Sequence, residues 1–216
     1  MINVLIVDDH VLVRTCIKAL LSQSTQVKVL GEAGTGEEAL RLVRETKPHV
    51  ILMDLMMPGL SSIEVISRLL RVYPDIKVVV LTSSNNTAFP SRLLELGVKG
   101  YLTKNSNGDE LIEAVIKVHR GERYITPEVA QNIAISNIDP LSASHFHDLS
   151  NREFQIMMMI INGYKVDYIS DKLCLSPKTI SSHRYAILTK LNVKNDVELT
   201  HLAIKQGLID VAAPVE

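Results

Sequence analysis

Short apolar-rich runs alternate with longer amphipathic stretches through the first 120 residues. Ile2 to Val7, Val27 to Ala33, Val50 to Met53, Val78 to Leu81 and Gly100 to Leu102 are such runs, most of them bounded by polar or turn residues. Compact apolar runs of this kind fit strands buried on both faces of a parallel sheet. The stretches between them have the length and spacing of helices: the segment after His10 up to Leu21, then Thr35 to Glu45, Ser61 to Val72, Thr87 to Leu96 and Gly108 to Arg120. Strand and helix in alternation mean βαβ units, so residues 1–120 are predicted to form a doubly wound α/β domain of (βα)5 type. Pro90 would break a helix interior, and it is therefore placed in the first turn of its helix.

The pattern loosens after Gly121. Thr126-Pro127-Glu128 reads as the start of a short helix, and SNIDPLSASHFHD after it is linker-like, so residues 121–146 are expected to be a connector. His145 and His147 have no further Cys or His close in sequence to complete a metal site. From residue 147 to 216 the period is helical throughout. Ser150 and Glu153 are spaced as a capping box for a helix carrying Met157 to Met159, which read as core, and Gly163 closes it. Val166 to Leu173 makes a shorter helix. Ser176-Pro177 then opens a third, running to Leu191, and Asp196 to Gln206 makes a fourth. A tight helix pair followed by another helix predicts a small all-α helix-turn-helix domain.

Composition adds exclusions. Aromatics are 4% of the chain and Trp is absent, which suits an α/β or all-α interior, and the longest apolar run, Ile156 to Ile161, is too short to span a membrane. With no signal-peptide pattern at its start the chain is expected to be cytoplasmic and without a membrane partner. Cys16 and Cys174 fall in different domains and are expected to be buried, reduced thiols. The net charge of −1 is uninformative, but its distribution is not: Lys172, Lys178, Arg184, Lys190 and Lys194 lie in a segment from Lys172 to Asn195 that holds no Asp or Glu. On the third helix Ile180, Ile187 and Leu191 share one face with His183 beside them, while Lys178, Ser181, Ser182, Tyr185 and Thr189 occupy the other. A basic helix free on one side fits phosphate contacts around a helix in the major groove of double-stranded DNA.

Candidate chemistry gathers at the strand ends. The first strand ends in Asp8 and Asp9, the third in Asp54, the fourth in Thr82 and Ser83, and the fifth runs into Lys104. Parallel strands with right-handed crossovers put these ends on one edge, where α/β sheets bind ligands. Clustered acids call for a hard cation, and Mg²⁺ suits a few carboxylate and carbonyl oxygens with a phosphate nearby. Asp54 would be the nucleophile toward phosphorus, with Lys104 and the Thr82 hydroxyl receiving the phosphoryl oxygens.

The motifs VDDH, MDLMMPG, LTSS and YLTK, in order at four strand ends, resemble the receiver domain of bacterial two-component response regulators. The resemblance implies that Asp54 accepts a phosphoryl group from a sensor histidine kinase. It implies that Asp8, Asp9, Asp54 and the Met56 backbone carbonyl hold Mg²⁺, and that Tyr101 is an aromatic switch coupled to Thr82. LSNRE, ISDKLCLSPKTISSH and KLNVKNDVELTHLAIKQGL resemble the LuxR/NarL-type DNA-binding domain. This implies DNA contacts by Lys178, Thr179, Ser181, Ser182 and Tyr185, to which the basic stripe adds Arg184 and Lys190, and a homodimer when phosphorylated. LSPKTISSHRY and DVELTHLAIKQGL are most similar to the GacA/UvrY/LetA branch, whose members activate genes for small RNAs that antagonise a translational repressor. The chain is thus expected to be a transcriptional regulator and not an enzyme. A Mg²⁺-dependent phosphohydrolase of the haloacid dehalogenase type needs a second Asp two positions after the nucleophile, where this chain has Met56. A receiver that only sequesters its kinase has no use for the acid-free basic helix.

Overall fold

The computed structural model describes residues 1–55, 57, 62–82, 93–127, 129–131, 146 and 148–205. Met56, Pro58, Gly59, Ser83, Pro90, His145, His147, the start of the helix expected from Thr87 and most of the expected connector lie outside the described residues. The chain separates into two compact units that divide between Ala130 and Gln131.

The first unit holds strands β1 (Ile2–Val7), β2 (Val27–Ala33), β3 (Val50–Asp54), β4 (Lys77–Thr82), β5 (Gly100–Thr103) and β6 (Tyr124–Ile125). They form one sheet in the order β2-β1-β3-β4-β5-β6, parallel throughout. Its fully described helices include α1 (Val11–Leu21), α2 (Gly36–Thr46), α3 (Ser62–Val72) and α4 (Gly108–His119). Strand side chains alternate between faces. Val4, Ile6, Val50, Leu52, Val79 and Leu81 therefore meet Ile17, Leu21, Leu111 and Val115 of α1 and α4 in one core. The intervening Leu5, Val7, Ile51, Met53, Val78 and Val80 are buried on the other face, and α2 and α3 pack against each other. Burial on both sides explains why β3 and the inner part of β4 read as unbroken apolar runs, whereas the edge strand β2 carries Lys28 and Glu32. Close approach fixes β5: a Cβ on Gly100 would lie 2.8 Å from a Val79 methyl, so only glycine lets β5 start there without displacing β4.

Two expectations are corrected here. Among the described residues the sheet has six strands, not five, because Tyr124–Ile125 in the expected connector pairs with Gly100 and Tyr101 of β5; two residues are too few to leave a period in the sequence. Cys16 and Cys174 are exposed rather than buried. On α1 only Ile17 and Leu21 are buried, and Cys16 sits outside their stripe.

The second unit contains α5 (Asn151–Ile161), α6 (Val166–Leu173), α7 (Pro177–Lys190) and α8 (Asp196–Lys205). The capping box forms: the Ser150 hydroxyl accepts from the Glu153 N–H at 3.2 Å, and Glu153 Oε2 accepts from the Ser150 N–H at 2.6 Å. Every residue of α5 from Glu153 to Ile161 is buried, the methionines among them, so this helix is the centre that α7 and α8 pack on. Cys174 ends α6 in the left-handed region at φ 52°. Two residues on, the Ser176 hydroxyl caps α7 through the Thr179 N–H at 3.1 Å, with Pro177 in the first turn. These two local signals turn the chain sharply from α6 into α7, with Ile180 and Ile187 inward.

Candidate functional site

Strand order decides where the acids meet. After β1 the chain crosses to β2 on one side and then to β3 on the other, so the carboxyl ends of β1 and β3 are neighbours at the point where the order reverses. Asp54 is the last residue of β3 and Asp8 follows β1 directly; they are 3% and 1% exposed. Asp8 is held by its backbone N–H, which donates to the Ala33 carbonyl at 3.1 Å. Neither Asp8 nor Asp9 caps the following helix; that place belongs to His10, which makes no side-chain cap.

Lys104 reaches in from the end of β5. Its backbone N–H donates to the Thr82 carbonyl at 2.6 Å, and its ammonium lies 2.6 Å from Asp8 Oδ2 and 3.0 Å from Asp54 Oδ2. Burial alone would lower the Lys104 pKa, but the hydrogen bond to Asp8 and the charge of Asp54 outweigh it and hold the pKa above the usual lysine value. Thr82, at the end of β4, is 3% exposed. Tyr101 on β5 is fully buried, and burial pushes its pKa up, offset only in part by the Thr82 side chain. Among the described residues its hydroxyl makes no well-formed hydrogen bond.

One side chain that sequence reasoning passed over belongs here. His10 Nδ1 is 2.8 Å from Asp9 Oδ1 and 3.3 Å from Asp8 Oδ1; the VDDH run was the available signal. Ligand atoms of Asp8, Asp9, His10 and Asp54 all lie within 4.8 Å of one another. Among the described residues three carboxylates meet one ammonium in a largely buried cleft. That donor set, rich in carboxylate oxygen, fits a hard divalent cation. Of the residues expected in this cleft, the structure brings together Asp8, Asp9, Asp54 and Lys104 and sets Thr82 and Tyr101 on the adjoining strands, while the Met56 carbonyl lies outside the described residues.

The second candidate is the outer face of α7. Lys178, Ser181, Ser182 and Tyr185 are exposed, Tyr185 to 75%, and Thr179 is half-buried. The Ser181 and Ser182 hydroxyls each donate to the carbonyl one turn back, on Pro177 and Lys178, at 3.0 Å. They therefore present oxygen lone pairs outward, and Tyr185 presents an aromatic ring. Arg184 and Lys190 differ from the expected free stripe. Arg184 Nε is 2.7 Å from Asp196 Oδ1, and Lys190 Nζ is 2.7 Å from Glu153 Oε2 and donates to the Asp148 carbonyl at 3.1 Å. The acids that hold them come from α8 and α5, outside the segment over which the charge was counted. Burial would raise the Glu153 pKa, yet the Lys190 and Ser150 donors bring it below the usual glutamate value, and Asp196 raises that of Arg184.

Residues 4–116 match the family model described as the response regulator receiver domain, and residues 147–203 match bacterial regulatory proteins of the luxR family. Response regulator GacA of Pseudomonas protegens is 49% identical over 212 residues, 98% of this chain and the whole of that protein. Response regulator UvrY of Escherichia coli K12 is 45% identical over 209 residues, 96% of each chain. Among solved structures, the RcsB response regulator of Salmonella typhimurium superposes with a TM-score of 0.74 at 29% identity, over 96% of this chain and 98% of that one. A two-component response regulator RcsB–DNA complex gives 0.61 at 29% identity, over 94% and 98%. Among the described residues no helix is long and apolar enough to cross a membrane.

Proposed function

Because the chain belongs to the response regulators that join a receiver to a luxR-family DNA-binding domain, and so regulates transcription through DNA, we propose that Asp54 is its phosphoacceptor and α7 its DNA-reading helix. The observation that carries the first assignment is the Lys104 ammonium bridging Asp54 and Asp8 in one buried cleft. A sensor histidine kinase presents phosphohistidine at this edge. A carboxylate oxygen of Asp54 attacks phosphorus as the bond to the imidazole nitrogen breaks, and the imidazole leaves with its electron pair. Lys104 then turns from the Asp54 carboxylate to the phosphoryl oxygens, and the Thr82 hydroxyl donates to another. Tyr101, whose hydroxyl the Thr82 side chain acts on, follows that movement.

Asp8, Asp9 and Asp54 with the Met56 carbonyl would hold Mg²⁺. When bound, the ion neutralises charge on the acids and the entering phosphoryl group. The chain's own residues align Asp54 and exclude water from it.

The output reading follows from the exposed face of α7. Lys178 and Thr179 contact phosphates and base edges in the major groove, and the lone pairs of Ser181 and Ser182 accept from base amino groups, with Tyr185 beside them. Arg184 and Lys190 mainly hold α7 against α8 and α5. Phosphorylation favours a homodimer that reads two half-sites about one helical turn apart, by stabilising one of two conformers.

Radiolabelled acetyl phosphate tests the reading. The wild-type chain takes up label that hydroxylamine removes, as expected of an acyl phosphate. Asp54→Asn takes up none and no longer binds promoter fragments more tightly on phosphorylation. Full labelling of that variant rules the assignment out.

A further inference from the structure

The peptide that joins the two N-terminal acids of the cleft is held by a residue that motif and spacing did not single out. Arg14, in the second turn of α1, is 14% exposed at its side chain and turns back over the start of its own helix. Its Nη1 donates to the Asp8 carbonyl at 2.6 Å. Its Nε faces Glu32 Oε2 of β2 at 3.6 Å, and Lys18 steadies the other Glu32 oxygen at 2.8 Å. The Asp8 carbonyl belongs to the Asp8–Asp9 peptide, so the guanidinium fixes the plane from which both carboxylates depart. The Asp8 N–H is held on the other side by Ala33, and Asp8 Oδ1 accepts from the His10 N–H at 2.9 Å. A charged donor on a carbonyl makes a short, strong bond, and the rigid planar fork of arginine keeps its direction.

We infer that Arg14 is a positioning residue of the phosphoryl site, setting the Asp8–Asp9 peptide so that the two carboxylates converge on one divalent ion. This rests on the reading of the cleft given above. Arg14 touches neither phosphorus nor, at its guanidinium, any carboxylate of the cleft; its effect passes through the backbone it holds. Groups that orient metal ligands typically contribute roughly 10–100-fold in metal affinity. Arg14→Gln is therefore expected to weaken Mg²⁺ binding by at least about tenfold.

The test is a MgCl₂ titration of the full chain, followed by the amide resonances of Asp8, Asp9 and His10, with acetyl phosphate labelling in parallel. Arg14→Gln should shift Mg²⁺ half-saturation upward in both measurements and leave the labelling rate at saturating Mg²⁺ close to wild type. Arg14→Lys, which keeps the charge and one donor, should fall between. A merely structural arginine would lower stability without separating half-saturation from the saturated rate. In the wild-type protein the Arg14 side-chain resonances should be slow to rotate and should move along the Mg²⁺ titration. A freely rotating guanidinium unmoved by the ion, or a folded Arg14→Gln with unchanged Mg²⁺ affinity, overturns the inference. Labelling of Asp54→Asn would instead overturn the reading of the cleft itself, so the two failures are told apart.

Discussion

Replacing Lys104 by Met tests the electrostatics of the cleft directly. The substitution roughly conserves volume and removes the one ammonium that lies 2.6 and 3.0 Å from Asp8 and Asp54, carboxylates 1% and 3% exposed. Taking away one partner of a buried pair costs about 3–5 kcal/mol, because the other charge is left uncompensated. Lys104 keeps 19% of its side chain in solvent, so the lower end, about 3 kcal/mol, is expected in the absence of divalent ions. Against a typical domain stability of about 5–15 kcal/mol this is a large fraction. With a urea slope of about 1–3 kcal/mol per molar it moves the midpoint of the first unit down by about 1–3 M. Far-ultraviolet circular dichroism in urea, with EDTA or with MgCl₂, reads it, and the transition of the second unit serves as an internal reference. Magnesium should recover part of the loss, since a cation then returns to the carboxylates. A cost below about 1 kcal/mol in EDTA, or an equal cost with and without magnesium, would refute the claim that this ammonium holds the acids together.

Two further outcomes concern the second unit. The Glu153 pKa is raised by burial but lowered further by Lys190 and Ser150, leaving it below the usual glutamate value of about 4.5. Its contribution is therefore present above about pH 4.5 and is lost as pH falls through the folded-state pKa. Glu153→Gln should cost about 1–2 kcal/mol at neutral pH, discounted because Lys190 is 41% exposed, and should converge with wild type in acid; denaturation curves that stay parallel across pH would sink this. For DNA binding, Lys178→Ala should weaken promoter affinity across sequences and flatten the salt slope by about one. Arg184→Ala, which gives up the Asp196 pair instead, should leave the slope near wild type; the reverse ranking in mobility shifts at several salt concentrations would reassign the two.

Much of this fold could be read from local signals, because those signals are also physical causes. Strands buried on both faces are apolar at nearly every position, so β1 and β3 stood out, and the Ser150–Glu153 and Ser176–Pro177 starts were written in a few adjacent residues. Asp8, Asp54 and Lys104 followed from the rule that parallel strands end on one edge. What escaped was set by distant partners. The β6 pair is too short for a period and exists because β5 offers it an edge. Lys190 looked like a free cation because Glu153 lies 37 positions away. Arg14 looked like an ordinary helix residue because its acceptor is a backbone carbonyl, which carries no sequence signature. Cys16 was placed inside on average habit, whereas the stripe of α1 that packs is narrow.

The cleft is assembled from the tips of β1, β3, β4 and β5, and Asp8 and Lys104 touch across almost half the chain. No fragment ending before Lys104 owns it, so on the proposed reading a polypeptide cut short of β5 would offer an incomplete phosphoacceptor site. On that reading, uptake of label at Asp54 would therefore report that the chain has been made and folded at least as far as Lys104.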